Sequence, residues 1–381
     1  MSNETLTEAK RAKKDEFYTQ FGDIQNEISA YLEYNPKLFK NKTVILPCDD
    51  PEKSNFTKFF SQNFQRFGLK KLISTSYAPN SKLNKYGFQG DLFDSKQSKG
   101  KEKSDTKGKI FQLSKDINAD GKINIDDIEW DFLKGDGDFN DSEIIEMIKS
   151  SDFVITNPPF SLLREFVELL KTLEKKFIIV SSMNGVGTKD IFQSIKENKI
   201  WLGNGFKGGN AFFAIPNELK REFATGVYDE STGLVKFRNV CWLTNLEHGR
   251  RHEPLKLMTM EDNLKFNKKL KDKYAYEKYQ NYDAIEVPLT ESIPSDYKGA
   301  MGVPISFLDK YCPEQFEILG MCENLDLYNL KTKKYSSKEC KDAYYKKFNK
   351  KGTYDLNASG VLLKNGLLEK TYQRVLIRHK K

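Results

Sequence analysis

The sequence lacks a hydrophobic run long enough to cross a membrane. Its most apolar stretch is Phe177–Val180 with small flanking residues, whereas a membrane-spanning helix requires roughly 20 apolar residues. The first residues of the chain are polar and charged, which is not typical of a secretory signal. We therefore expect a protein that resides in the cytoplasm and does not associate with membranes.

Cysteine and histidine are scarce, and neither is spaced like a metal site. No cysteine pair has CxxC spacing, and the number of cysteines is odd: Cys48, Cys241, Cys312, Cys322 and Cys340. This usage favours reduced thiols over a disulfide framework, and we predict no bound metal. His248 and His252 lie four residues apart beside two arginines but have no apparent third ligand, so a surface loop that contacts phosphate is favoured over metal ligation.

Positive charge is concentrated in the last third of the chain. Residues 1–250 hold 37 Lys and Arg against 36 Asp and Glu, whereas residues 251–381 hold 25 against 18, a net charge of +7. Lys331–Lys351 alone contains nine lysines interleaved with aromatic residues. A polyphosphate partner attracts such a region. A solvated lysine-rich face is the alternative.

The first 250 residues alternate apolar runs with amphipathic segments, which predicts an α/β domain with a mostly parallel sheet and helices on both faces. We expect strands at six places: Lys42–Pro47, Lys71–Ser76, Asp152–Thr156, Lys176–Ser182, Ala211–Ile215 and Val240–Leu243. An insertion covers about residues 95–130. At 381 residues the chain suits two domains, which we place at residues 1–250 and 251–381.

The most informative motif is Asn157-Pro158-Pro159-Phe160, which directly follows an apolar strand. This motif suits methylation of the N6 amine of adenine. That amine is a poor nucleophile because its lone pair is delocalised into the ring. An Asn oxygen and a backbone carbonyl can accept its two N–H bonds and free the lone pair, and consecutive prolines stiffen that backbone. Phe160 can stack on a base swung out of the helix. The alternative is a rigid turn without chemistry.

Three acidic segments carry weaker signals. Asp49 and Asp50 follow the first strand, where carboxylates can bind an amino group or ribose hydroxyls. Gly135–Phe139 combines glycines that permit close approach with an Asp and a Phe that suit an adenine ring. Asp116–Asp127 matches a calcium-loop template without its closing Glu, and a β-hairpin turn is the favoured interpretation. Turn chemistry also explains the first two segments.

Together with these motifs, longer segments make the chain similar to the EcoRI-type adenine-specific DNA methyltransferases. The matching segments are Asp15–Gln20, Cys48–Phe56, Gly135–Phe139, Thr156–Val167, Glu197–Gly203, Asn239–Glu253, Asn281–Val287, Met301–Tyr311 and Arg374–Arg378. The resemblance implies a Rossmann-like core that uses S-adenosyl-L-methionine, followed by a smaller, basic target-recognition region. It also implies methyl transfer to adenine N6 in double-stranded DNA, for restriction–modification or for phage or host DNA modification, with a cognate restriction endonuclease as a partner.

The resemblance also implies roles for individual residues. Phe17, Tyr18 and Thr19 match the segment that contacts the methionine part of the cofactor. Asp49 and Asp50 match the first cofactor motif, and Asp138 and Phe139 match the adenine-holding motif. Asn157 to Phe160 match the catalytic tetrapeptide. From the basic region we predict DNA contacts by Arg250, Arg251, Lys333, Lys334, Lys346 and Lys347.

Two other functions fit parts of the sequence. One is a methyltransferase that acts on RNA or on a protein glutamine, since these amine and amide nitrogens pose the same chemical problem. The other is a DNA-binding protein with an inactive methyltransferase-like core. The Phe at position 160 and the basic C-terminal region disfavour the first, and the intact tetrapeptide disfavours the second.

Overall fold

The computed structural model describes residues 18–48, 51–78, 107–206, 210–214, 227–271 and 273–380. The chain divides into two compact units. Unit 1 takes in Met1–Phe192 and Ile200–Gly249, and unit 2 takes in Gln193–Lys199 and Arg250–Lys381. Among the described residues, no helix has the length and apolar character that crossing a bilayer requires.

The described chain as far as Thr244 contains both strands and helices. The strands are β1 (Tyr18–Thr19), β2 (Thr43–Leu46), β3 (Lys71–Thr75), β4 (Lys109–Leu113), β5 (Glu129–Phe132), β6 (Phe153–Thr156), β7 (Lys176–Ser182), β8 (Trp201–Leu202), β9 (Asn210–Ala214), β10 (Tyr228–Asp229), β11 (Leu234–Arg238) and β12 (Val240–Thr244). The helices are α1 (Phe21–Tyr34), α2 (Asn55–Gln62), α3 (Phe64–Phe67), α4 (Ser142–Ser150), α5 (Leu163–Thr172), α6 (Met183–Val186) and α7 (Lys189–Lys196).

Eight of these strands form one large mixed sheet in the order β5-β4-β3-β2-β6-β7-β12-β8. The central strands β3, β2, β6 and β7 are parallel to one another, whereas the pairings on either side are antiparallel. The prediction of a mostly parallel sheet is therefore wrong. Two strands of the predicted insertion, β4 and β5, form a hairpin that extends the sheet, and β12 returns antiparallel beside β7. The predicted strand near Ala211 belongs to a separate antiparallel sheet, β1-β9-β11-β10.

The apolar pattern of the sequence explains why the central strands of this sheet are buried. Every residue of β2 and of β6 is buried, as expected for strands that are covered on both faces. In α5, Leu163, Phe166, Val167 and Leu170 recur at helical spacing and are buried. The core of unit 1 is rich in phenylalanine, and the Phe39 ring lies 5.6 Å from Phe60 and 5.4 Å from Phe153.

The acidic segment Asp116–Asp127 lies in the connection between β4 and β5. The buried Asp127 carboxylate accepts hydrogen bonds from the backbone N–H groups of Ile117 (2.8 Å), Asn118 (3.2 Å) and Asn124 (3.0 Å). The segment therefore closes a hairpin, which is the interpretation that the sequence favours.

Unit 2 is built around a second, smaller sheet. Its helices and strands are α8 (Met260–Phe266), β13 (Ala284–Glu286), β14 (Ala300–Pro304), β15 (Phe316–Met321), α9 (Ser337–Phe348), β16 (Val361–Lys364), β17 (Leu367–Lys370) and β18 (Arg374–His379). The sheet order is β13-β14-β18-β15, and β16 and β17 form a separate hairpin. Asn365 and Gly366 turn that hairpin with positive φ angles of 47° and 79°, as an Asn-Gly turn does.

Short 3-10 helices complete the described structure. They are Ile125–Asp127, Phe160–Leu162, Gly249–His252, Lys268–Leu270, Thr290–Ser292, Ile305–Lys310 and Leu356–Ala358.

Asp152 fixes the start of β6 against the start of β2. Its carboxylate accepts hydrogen bonds from the Thr43 backbone N–H (2.8 Å) and from Lys42 Nζ (3.0 Å). Desolvation raises the pKa of Asp152, but these two hydrogen bonds and the positive charges of Lys42 and Lys175 together outweigh it and hold the pKa below its usual range. A lowered pKa stabilises the fold above the unfolded-state pKa of about 3.9, and this contribution is lost as the pH falls through the folded-state pKa.

We therefore expect Asp152→Asn to lower the free energy of unfolding at pH 7. Because the side chain is 37% exposed, solvent screening limits the loss to about 1 kcal/mol. The difference from the wild type should close as the pH falls below about 4. Urea unfolding at pH 7 and at lower pH values down to below about 4 measures this difference in the free energy of unfolding. Asp126→Asn, at an exposed position, is the control. A difference that is independent of pH contradicts the assignment.

Candidate active site

The four central strands end at one edge of the large sheet. Parallel pairing puts Leu46 beside Ser74 and Thr156 beside Ile179, so the segments that follow these strands emerge together. We call this the carboxyl edge. Ligands bind at such edges in open α/β sheets. The segments that follow the strands are residues 47–48, 76–78, 157–160 and 183–186.

The predicted catalytic tetrapeptide lies at the carboxyl edge. Asn157 is 8% exposed and Pro158 is buried, whereas Pro159 and Phe160 are half-buried. Thr156 Oγ1 accepts a hydrogen bond from the Cys48 N–H (3.3 Å), which ties the end of β6 to the end of β2. Asn157 therefore follows a strand end that is held on a second strand.

The two prolines differ in what their carbonyl groups bind. The Pro159 oxygen accepts a hydrogen bond from the Leu162 N–H at 2.9 Å, which closes the 3-10 helix that begins at Phe160. Within the described part of the chain, the Pro158 oxygen accepts none. Neither nitrogen carries a hydrogen, so the strand ladder cannot continue through this segment. The Pro158 carbonyl is thus held in a stiff backbone and is left available as an acceptor.

Phe160 connects this segment to the core. Its ring is half-buried and packs against the apolar cluster of unit 1. Part of the ring is therefore fixed and part is open, as an aromatic platform for a ligand requires.

The segment Gly135–Phe139 packs against the end of β3. The Ala78 N–H donates to the Asp136 oxygen (2.7 Å), and the Gly108 N–H donates to the Gly135 oxygen (3.1 Å). Gly137 has a φ of 83°, and an added Cβ would lie 2.1 Å from the Ser76 oxygen. Glycine at this position therefore lets the segment reach the carboxyl edge, as its composition predicts.

Asp138 and Phe139 have different surroundings. Asp138 is half-buried, and its carboxylate accepts a hydrogen bond from the Asn140 N–H (3.1 Å). Phe139 is 4% exposed, and its ring centroid lies 5.0 Å from that of Phe166 in an edge-to-face contact. Asp138 is thus partly accessible to solvent, whereas the Phe139 ring is almost fully buried and contacts Phe166 of α5.

Tyr18 and Thr19 form β1, which pairs with β9. The Asn55 side chain donates to the Thr19 oxygen (2.8 Å), and so links β1 to the start of α2, the helix that begins within the Cys48–Phe56 motif. Thr19 is 2% exposed, and its hydroxyl has no hydrogen-bond partner among the described residues. A buried hydroxyl without a partner carries a desolvation cost, which a bound polar group would remove. Phe17, Asp49 and Asp50 lie outside the described residues.

Sequence reasoning missed the turn that follows β7. Ser182 Oγ accepts a hydrogen bond from the Gly185 N–H (3.1 Å), and Gly185 packs closely on Leu163 at the start of α5. The turn presents the exposed Asn184 beside the strand that leads to Asn157. In the sequence, the one indication of this turn is that it directly follows an apolar strand, because its residues form no recognisable motif.

Most of the lysines predicted to contact DNA have intramolecular partners. Lys333 lies 3.2 Å from Glu339, Lys334 lies 3.8 Å from Asp326, and Lys347 lies 3.1 Å from Glu369. Lys346 is exposed on α9. The lysine of each pair is at least partly exposed, so these ion pairs are weak and can exchange partners with a phosphate.

The basic turn that begins at Gly249 is more buried than its sequence suggests. Arg250 is half-buried and lies 3.0 Å from Asp309. Arg251 is 4% exposed, and its guanidinium donates to Asn198. His248 is 2% exposed, with its Nε2 3.0 Å from the Leu202 oxygen, so its predicted location in a surface loop is wrong.

Comparison with known proteins gives one consistent family. The family model described as adenine-specific methyltransferase EcoRI matches residues 5–380. The type II methyltransferase M.EcoRI of Escherichia coli is 41% identical over 327 residues, which cover 85% of this chain and 91% of that protein. M.MpnI of Mycoplasma pneumoniae is 33% identical over 331 residues, covering 86% and 89%.

A third relative, the type II methyltransferase M.MgeORF184P of Mycoplasma genitalium, is 33% identical over 318 residues, which cover 83% of this chain and 86% of that protein. No solved structure matches the chain. The predicted family and the predicted adenine-specific DNA methyltransferase activity are confirmed. These matches, together with the site geometry, show that the chain belongs to the EcoRI family of adenine-specific methyltransferases.

Proposed function

We propose that the chain methylates the N6 amine of adenine within one short sequence of double-stranded DNA, and that S-adenosyl-L-methionine is its methyl donor. The observation that carries the proposal is the Asn157–Phe160 segment at the carboxyl edge, with its unused Pro158 carbonyl. Unit 1 would be the Rossmann-like catalytic domain, and unit 2 the target-recognition region. As for its type II relatives, a cognate restriction endonuclease is the partner we expect.

The proposed chemistry needs no side chain that gains or loses a proton. The Asn157 side-chain oxygen and the Pro158 carbonyl would each accept one N–H of the amine, which draws the nitrogen toward tetrahedral geometry and localises its lone pair. Phe160 would stack on the flipped adenine. The stiff Pro-Pro backbone sets the direction of the carbonyl in advance, so little reorganisation accompanies the reaction.

The residues at the carboxyl edge fit the cofactor. The unpartnered, buried Thr19 hydroxyl suits the polar methionine part, and the half-buried Asp138 suits the adenine amine. Tyr18, Phe17, Asp49, Asp50 and Phe139 complete the proposed contacts with the cofactor. When bound, S-adenosyl-L-methionine supplies an electrophilic sulfonium methyl group, and these residues would hold it in line with the amine.

The proposed DNA surface lies on unit 2. Lys333, Lys334, Lys346, Lys347 and Arg250 would contact phosphates. The buried Arg251 is left out of this surface because it has no access to a phosphate. Each lysine that displaces a counterion makes binding more dependent on salt, so a steep dependence is expected.

Asn157→Ala tests the catalytic segment. Because one of two preorganised acceptors is lost, we expect kcat to fall by about 10²- to 10³-fold or more, with unchanged affinity for S-adenosyl-L-methionine. Transfer of labelled methyl to duplex DNA, RNA and protein in parallel gives the rate and the substrate class, and calorimetry gives the affinity. Asn118→Ala, at an exposed loop position, is the matched control. Equal activity of Asn157→Ala and the control contradicts the proposal.

Thr19→Val tests the cofactor contact. The unpartnered hydroxyl does not stabilise the free protein, so its removal should leave the melting temperature unchanged or raise it. Affinity for S-adenosyl-L-methionine should fall about five- to tenfold, since one hydrogen bond is worth about 1 kcal/mol. Thr172→Val, at the exposed end of α5, should change neither quantity. A lower melting temperature with unchanged affinity would mean that Thr19 is purely structural.

A further inference from the structure

Unit 2 contains a pocket that no motif in the sequence predicts. It has a volume of about 340 Å³ and lies where the β16–β17 hairpin returns to β18. We call it the lysine–tyrosine pocket. Its lining includes the two carboxylates of Glu286 and Glu369. The basic and aromatic part of the lining comes from Lys273, Tyr274, Lys364, Lys370, Tyr372 and Arg374.

A buried ion pair forms the base of the lysine–tyrosine pocket. The Arg374 guanidinium donates to the Glu286 carboxylate through Nε (3.1 Å) and Nη2 (2.7 Å), and the Tyr279 hydroxyl donates to the same carboxylate. Glu286 and Arg374 are 3% and 7% exposed. Their charges neutralise each other, so the base of the pocket is rigid and polar but carries no net charge.

The wall of the pocket carries an excess of positive charge. Lys364 Nζ lies 3.5 Å from the centroid of the Tyr274 ring and 3.0 Å from Glu369, and Glu369 is shared with Lys347. Lys273 and Lys370, both exposed, have no carboxylate within ion-pair distance among the residues described. One carboxylate thus faces several lysines, and the pocket favours an anion.

Tyr372 lies at the mouth of this pocket, and 88% of its surface is exposed. Among the exposed aromatic and large aliphatic residues that the structure describes, Leu325 comes next at 75%. The backbone of Tyr372 is anchored on both sides. The Thr371 N–H donates to the Gly360 oxygen (2.8 Å), and Arg374 begins β18. The ring therefore projects from a fixed backbone rather than from a long loop.

We propose that the lysine–tyrosine pocket binds a nucleotide of the DNA substrate, with a base stacked on Tyr372 and the flanking phosphates beside Lys273 and Lys370. This inference rests on the proposed function, because it takes DNA as the substrate. A nucleotide that is swung out of the duplex exposes the flat face of its base beside its flanking phosphates, and lysines beside an open aromatic ring match both. None of these three residues belongs to the surface predicted from the sequence.

The test measures binding of the full-length protein to a fluorescent duplex that contains its methylation site. Tyr372→Ala should raise Kd by about 5- to 150-fold, the loss of one base–aromatic stack, and Tyr372→Trp should restore most of the affinity. Lys273→Ala combined with Lys370→Ala should reduce the slope of log K against log salt concentration by about 2. KM for DNA should rise in Tyr372→Ala and in the double lysine variant, whereas kcat at saturating DNA should be retained in both.

A matched control lies in the same unit but outside the lysine–tyrosine pocket. Lys265 lies 5.1 Å from the ring of Phe266, which is 61% exposed, so Lys265→Ala combined with Phe266→Ala removes an equivalent lysine and ring. It should change neither Kd nor the slope. Equal effects in the control and the pocket variants, or unchanged binding by Tyr372→Ala, would overturn the inference. If the wild type transfers no methyl to DNA, the proposed function fails instead.

Discussion

The parallel pairing of four buried strands is the constraint on which the site depends. Because β3, β2, β6 and β7 run the same way, the segments after them emerge at one edge, although they are spread over residues 47–186 of the chain. The hydrogen bond from Cys48 to Thr156 joins two of these strand ends directly. Among the described residues, the segments that carry Asn157 and Asn184 therefore lie at the same edge of the sheet.

Rigidity at this edge suits the chemistry of an amine that is a poor nucleophile. Two prolines remove both backbone donors after Asn157, and the 3-10 helix uses the Pro159 carbonyl but not the Pro158 carbonyl. Hydrogen-bond acceptors that are already aimed need little reorganisation when the transition state forms. The proposed DNA surface of unit 2, by contrast, carries lysines that are solvent-accessible and form weak ion pairs, which suit a partner that is bound, repositioned and released.

The sequence predicted the central strands, the family and the activity, because continuous apolar runs and long matching segments carry that information locally. It did not predict how strands pair. Side chains alternate between the two faces of a strand whether its neighbour is parallel or antiparallel. The β4–β5 hairpin and the antiparallel β12 therefore became visible only in the fold. Burial was the second limit. Arg251 and His248 occur in a polar segment, yet tertiary packing encloses them, and most of the Phe139 ring lies against Phe166. The lysine–tyrosine pocket combines residues nearly 100 positions apart, which no local pattern reports.

Sequencing that detects modified bases tests the central claim most directly, when it is applied to DNA from cells that express the protein and from cells that do not. The account predicts N6-methyladenine at a single short motif throughout the DNA of the expressing cells. Methylation of cytosine, or DNA without any modified adenine alongside a folded protein, would contradict it.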